Sequence, residues 1–326
     1  MQGLLKVHGA IFRLVVTAWV VTSMLVGCKK APEPVAEAPV EKKEVPAAPA
    51  VEQSLGEFQE DAIVVIGISS FNDLKAFLTT ASKAVDDPVD FDKEVLVSIM
   101  AEMGLTDSKG VDLDRPFYIV GWNPKKNMGA TNLVPLKDKA AFEAALGERK
   151  VDSTVGMDFL VKKDFHDLHG LYFGDYVAVS QDLAPVKEHR AFLEKTTQSF
   201  KPAETIHLLA SMKNFTRIFA VELEQGRTAV LEELTKSLDS SGVMGEAGKI
   251  GSIPPSMMTA YANEVDQAVN VIKSIEILDA RSKVSEERLM VEVMGQAQPD
   301  SILHKFLQKS SERDQHMKSY VLEVWA

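Results

Sequence analysis

The 326-residue chain predicts a mixed α+β fold, antiparallel-rich sheets with packed helices, standing behind an export leader. Three observations predict it. Apolar runs of strand length alternate with helix-period segments along residues 53–326. A Gly174-Asp175 pair separates two aromatic and β-branched runs, which is a two-residue hairpin pattern. A strand, capping residue and helix recur when the chain is slid by 144 residues, which predicts an internal duplication. Composition narrows the class further: 45% hydrophobic residues, 25% charged residues and one cysteine exclude a disordered chain, a fibre, a disulfide scaffold and a polytopic membrane protein. The net charge of −11 argues against nucleic acid as a partner, because phosphates would repel the chain.

Residues 1–13 carry Lys6 and Arg13 and no acid, and residues 14–27 form an uncharged, largely apolar run before Cys28-Lys29-Lys30. As a helix that run rises only about 21 Å, short of a ~30 Å hydrocarbon core. Residues 1–27 are therefore expected to be a signal peptide rather than a permanent span. Leu25-Val26-Gly27-Cys28 then resembles the lipobox of bacterial prolipoproteins. The resemblance implies that Leu25, Val26 and Gly27 are read by a dedicated peptidase that cuts before Cys28. It also implies a diacylglyceryl thioether on Cys28 and acylation of the new amine, palmitate being among the chains carried. The chemistry suits the residues: Gly27 leaves room at the scissile bond, and a thiolate is the nucleophile that alkylation needs. Each buried CH₂ contributes about 0.8 kcal/mol, so two or three long chains hold a protein to a bilayer without a spanning helix. The chain keeps its single cysteine at this position, so the mature body has no disulfide. In enterobacteria an Asp after the lipidated Cys resembles an inner-membrane retention signal. Lys29 stands there, which favours the outer membrane, facing the periplasm or the cell surface.

Residues 28–52 follow as the lipidated Cys and a tether; five of the 14 prolines fall within residues 29–52, among Ala, Glu, Lys and Val only. Such a segment favours extended polyproline-like conformers and holds the body away from the membrane. The body divides into a first α/β unit, 53–200, and a second, shorter one, 201–326. In the first, Ala62–Ile68 reads as a buried strand. Ser70 caps a helix carrying Phe71, Leu74, Phe77, Leu78 and Ala81, and Asp90 starts another with Phe91, Val95, Ile99 and Met103. Pro116–Trp122 and Thr131–Leu136 read as strands, Asp138 caps a helix with Phe142 and Leu146, and a helix follows Asp182.

In the second unit, Val64, Ile68, Ser70, Phe71 and Leu74 fall on Leu208, Met212, Asn214, Phe215 and Ile218. The expected elements are helices Phe215–Leu238 and Met257–Ile272, strands Ile275–Val284 and Leu289–Ala297, and a helix Ser301–Gln308. Tyr320–Trp325 would then match the strand Phe159–Val161. The second copy is thus expected to be incomplete: either its missing pieces are dispensable or the chain is cut short. The body also resembles a class of exported bacterial lipoproteins with a Pro/Ala-rich spacer and similar α/β halves. That resemblance rests on Gly110-Val-Asp-Leu-Asp-Arg-Pro116 and Leu133-Val-Pro-Leu-Lys-Asp138, and it implies no activity.

Catalytic patterns are not visible in the sequence. Asp164, His166, Asp167 and His169 could ligate a metal from one turn, although a polar loop is the plainer reading and no distant ligand completes the set. Gly242, Gly245, Gly248 and Gly251 with Lys249 fail the phosphate-loop pattern, since Val243 replaces its first glycine and Ile250 the magnesium-holding Ser or Thr. Their neighbours Met244, Met257 and Met258 suit a pliable apolar cover. The expected function is a non-enzymatic, membrane-anchored envelope module without a cofactor, with another envelope protein as its partner. Two alternatives stand beside it: a carrier of an apolar ligand under residues 242–258, and a metal-dependent hydrolase using His166 and His169.

Overall fold

The computed structural model describes residues 57–84, 89–126, 128–146, 149–150, 157–162, 167–240, 255–285, 288–298, 301 and 320–324. The leader, the lipobox and the tether lie outside them, as do Asp164, His166, residues 241–254 and the expected helix beyond Ser301. Among the described residues no helix is long and apolar enough to cross a membrane.

Strand β1 (Ala62–Ile68) leads into helix α1 (Phe71–Ala84) through a reciprocal cap: Ser70 Oγ accepts the Asp73 N–H at 2.9 Å and donates to its carboxylate at 2.8 Å. Asp90 caps the next segment, accepting the Lys93 N–H at 3.2 Å. That segment opens as a π-helical turn, Phe91–Leu96, before α2 (Val97–Glu102) and a left-handed Gly104 at φ 81°. Strands β2 (Phe117–Trp122) and β3 (Ala130–Pro135) form a hairpin. Asp138 caps α3 (Lys139–Ala145), accepting the Ala140 and Ala141 N–H groups. A meander follows: β4 (Arg149–Lys150), β5 (Phe159–Lys162), β6 (Asp167–Phe173) and β7 (Tyr176–Ser180). Its last turn is Gly174-Asp175, with Gly174 at φ 54°, the conformation that favours glycine there. The helix expected from Asp182 is broken at His189 into α4 (Leu183–Glu188) and α5 (Arg190–Ser199).

In the second half, β8 (Ile206–Ser211) runs directly into α6 (Met212–Ile218). The expected helix from Phe215 to Leu238 therefore begins earlier, and it breaks at Phe219 before α7 (Ala220–Ser240). Ser211, not Asn214, is the cap, accepting the Asn214 N–H at 3.2 Å. The Asn214 amide instead donates to the carbonyls of Gln59 (2.7 Å) and Ala62 (2.8 Å), which fastens α6 to the start of β1. Helix α8 (Pro255–Ser274) and strands β9 (Ile275–Ser285), β10 (Arg288–Ala297) and β11 (Tyr320–Val324) complete the order.

The two units share one sheet, ordered β11-β10-β9-β8-β1-β2-β3-β7-β6-β5-β4, and the pairings are antiparallel. Its middle joint is β1 against β8, where Val65 lies directly opposite Leu209. These residues are 144 apart, the offset of the sequence repeat, so each half meets its own equivalent position across the joint. On either side the same succession follows: β2 then β3 beyond β1, β9 then β10 beyond β8. Strand β11 pairs with β10 as β7 pairs with β3, so the last strand takes the place of β7 rather than of the Phe159 strand.

Side-chain alternation sends two cores to opposite faces. Ile68, Phe117, Val134, Val177 and Val179 pack against α1, α2 and α3. Val65, Val120, Leu133, Ala178 and Leu209 pack with Val186, Phe192 and Leu193 of α4 and α5. The cover is uneven. Among the described residues, all the buried hydrophobic residues except Leu209 and Ile218 lie from Ala62 to Phe200.

Candidate functional site

Asp167 and His169 are two residues apart on β6 and share one side of the strand. His169 is half-buried, with Nδ1 3.4 Å from Met157 Sδ; burial lowers its pKa, opposed by the charges of Asp167 and Asp182. Among the described residues no three His, Cys, Asp or Glu side chains gather as metal ligands.

The structure instead brings together a buried network that the sequence reading did not single out. His207 on β8 sits opposite Arg281 on β9, with Asp279 two residues along. The Ala203 N–H donates to His207 Nδ1 at 3.2 Å, which fixes the proton on Nε2, and Nε2 donates to Asp279 Oδ1 at 2.8 Å. Arg281 closes on the same carboxylate through Nε at 3.1 Å and Nη2 at 2.8 Å. Burial raises the Asp279 pKa, but the hydrogen bonds from His207 and Arg281 outweigh it and hold the carboxyl below its usual range. A His–Asp pair invites a general-base reading, which requires one ring nitrogen free to face a substrate. Here both nitrogens are engaged and the ring is 2% exposed beside Phe200, so the network is a strand-to-strand fastening. Its signal in sequence was the alternation Asp279, Arg281, Lys283 in a strand; the partners His207 and Glu204 are remote and became visible only through β8–β9 pairing.

A second charged cluster fastens α6 and α7 to the opposite end of β1 and β2. Asp61, 6% exposed, accepts from Lys126 Nζ at 2.7 Å and Asn123 Nδ2 at 3.2 Å. Burial raises its pKa and those two bonds more than reverse the effect. Arg217 reaches Glu60, and Lys125 reaches Glu222 at 2.8 Å. Beside them His189 stacks on Trp122 at 4.7 Å, its buried Nε2 having no hydrogen-bond partner among the described residues.

Among the described residues the exposed large hydrophobic side chains are Val97 on α2 and three valines on α7 and α8. Arg227 on α7 pairs with Asp266 on α8 along the seam between them. Away from that seam, Val221 (62% exposed), Val230 (49%) and Val271 (45%) face solvent. A shallow depression of about 640 Å³ runs along α7 over Ala220, Val221, Glu224, Thr228 and Ala229. A second, of about 450 Å³, lies between the β6–β7 turn and α5, with Arg115, Tyr176, Glu194 and Lys201 around it. The first is apolar and flanked by carboxylates, the second polar with both signs of charge. Both depressions are open to solvent.

No protein-family model matches the chain, and no curated protein does. Among solved structures, one described as crystal form I of TP0453 aligns with 8% identity and a TM-score of 0.34 over 80% of this chain and 87% of that one.

Proposed function

We propose that the chain is a lipid-anchored lipoprotein of the bacterial cell envelope whose α+β body binds or braces another envelope component without turning over a substrate. The observation that carries this reading is Cys28: the only cysteine of the chain stands at the fourth position of Leu25-Val26-Gly27-Cys28, directly after a 14-residue apolar run. The Pro-rich tether of residues 29–52 supports it, since an extended spacer has a use only if one end is held. The uncovered faces of α7 and α8 support the binding half of the reading.

The test is mass spectrometry of the mature protein with metabolic palmitate labelling. The native chain is expected to begin at a lipidated Cys28, and Cys28→Ser to accumulate as full-length, unlabelled precursor. A mature N-terminus elsewhere, or an unprocessed chain free in the cytosol, overturns the anchor. Turnover of ester, peptide or glycan substrates by the purified chain, lost on substitution of one residue cluster, overturns the non-enzymatic half.

A further inference from the structure

We propose that the joint between α4 and α5 is an acid-operated latch: the neutral His189 ring holds the two helices against Trp122 on β2, and its protonation in mild acid releases them. This does not depend on the proposed envelope role. His189 is at once the C-cap of α4 and the N-cap of α5, with φ −114° and ψ 20° that interrupt the helix. A residue in that place ordinarily turns its side chain onto the free N–H groups of the next turn, and His189 makes no such bond. Its ring lies instead on the indole of Trp122, nearly parallel at 16°. Phe192, three residues on and so on the same side of α5, meets that indole edge-on at 5.9 Å. The indole is itself held in place, 3% exposed and donating Nε1–H to Thr131 Oγ1 at 2.9 Å. Two rings from the start of α5 thus clasp one ring of the sheet, while Val186 and Leu193 join the core of Val65, Val120 and Leu133 on that face.

The clasp suits only the uncharged ring. An imidazolium carries an N–H on each nitrogen and needs an acceptor for both, and the buried Nε2 of His189 has none among the described residues. The charges around the ring do not make up for this. Asp61, ahead of β1, favours the charged form, but its oxygens already accept from Lys126 Nζ at 2.7 Å and Asn123 Nδ2 at 3.2 Å. Lys126, in the turn after β2, opposes a charged ring, and Glu188 on α4 favours one. On α5, Arg190 and Glu194 pair with each other at 2.8 Å. Burial is the largest influence and lowers the His189 pKa, against the pull of the two carboxylates. The closed joint is therefore fully favoured above the ordinary histidine value of about 6.5 and loses ground as pH falls towards the lower value of the closed form. Between those limits each pH unit multiplies the open population by about ten, the slope of a single proton.

The test follows Trp122 emission and amide exchange between about pH 8 and about pH 5, in the full chain with Trp19→Phe and Trp325→Phe so that one indole remains. On acidification the emission is expected to shift to the red. Exchange in α4 and α5, corrected for its intrinsic pH dependence, is expected to quicken by up to about tenfold per pH unit, while β2 and β3 keep their protection. His189→Phe keeps a ring for Trp122 to stack on, cannot charge, and strands no described partner of Nε2, so it is expected to stay closed across the range. His189→Gln, uncharged but without the ring, is expected to exchange faster than the native chain at about pH 8 and to show no pH response. Quenching of Trp122 without a red shift would mean that the ring charges in place, and it overturns the latch. So does corrected exchange that stays constant with pH in the native chain, or a pH response that survives in both variants.

Discussion

Asp279 draws three donors around one buried carboxylate, His207 Nε2–H and two N–H groups of Arg281, and this sets what its removal does. Asp279→Asn leaves Arg281 without its counter-charge in a buried strand pair, a loss of about 3 kcal/mol by the usual cost of breaking such a pair from one side. The urea midpoint is expected to fall with little change in slope. The pH dependence follows from the sign of the shift. A carboxyl whose folded pKa is depressed takes up its proton more readily unfolded, so its contribution is full above the ordinary carboxylate value of about 3.9 and is lost as pH falls through the folded value. Asp279→Asn should therefore flatten the acid limb of the stability profile. An unchanged acid limb would place the stabilisation elsewhere.

Between elements, close approach of backbone decides which glycines are fixed. A Cβ at Gly110 would lie 2.1 Å from the backbone nitrogen of Phe142 in the middle of α3, and a backbone atom cannot swing aside. Gly110→Ala is expected to cost about 3 kcal/mol or more through displaced packing of Phe142. Gly226 on α7 meets nothing within 4 Å, so Gly226→Ala should stabilise by about 0.5–1 kcal/mol, as alanine does in an exposed helix. Thermal melts of the two variants are expected to move in opposite directions. A matching fall in both would mean that α7 is covered on that side.

For the whole molecule, the asymmetry of burial predicts an asymmetry of opening. Strand β8 joins β1 through ladder hydrogen bonds and the packing of Leu209 with Val65, while among the described residues almost all the buried hydrophobic side chains belong to the first half. Local stability follows buried apolar contact. Amide exchange is therefore expected to be slowest in β1, β2, β3 and β7 and fastest in α7 and α8, by orders of magnitude, with β9 and β10 between. Uniform protection would show that the second half is closed by contacts beyond those described.

Most local structure was legible in the chain. Strand β1, the caps Ser70, Asp90 and Asp138, and the Gly174 hairpin depend on neighbours a few residues away, so periodicity and capping chemistry sufficed to predict them. The interruptions at His189 and Phe219 were not legible; each residue makes a ring contact with a distant segment, His189 on Trp122 and Phe219 beneath Lys125, that no local pattern announces. The duplication could be seen as an offset of 144 residues, but an offset cannot say that the copies face each other. Of the candidate site residues, Asp167 and His169 came to share a strand side, and the His207–Asp279–Arg281 network went unseen because its members are separated by a long stretch of chain.

By itself the sequence determined the composition class, the order of strands and helices and the turn positions, all of which are set by interactions along the chain. Only the tertiary structure decided that both halves share one sheet joined at Val65 and Leu209, that β11 takes the place of β7, and that a His–Asp pair is closed off by a backbone amide. The reason is physical. Strand pairing and burial join residues far apart in the chain, and the free energy that selects those partners belongs to the assembled sheet rather than to any segment of it.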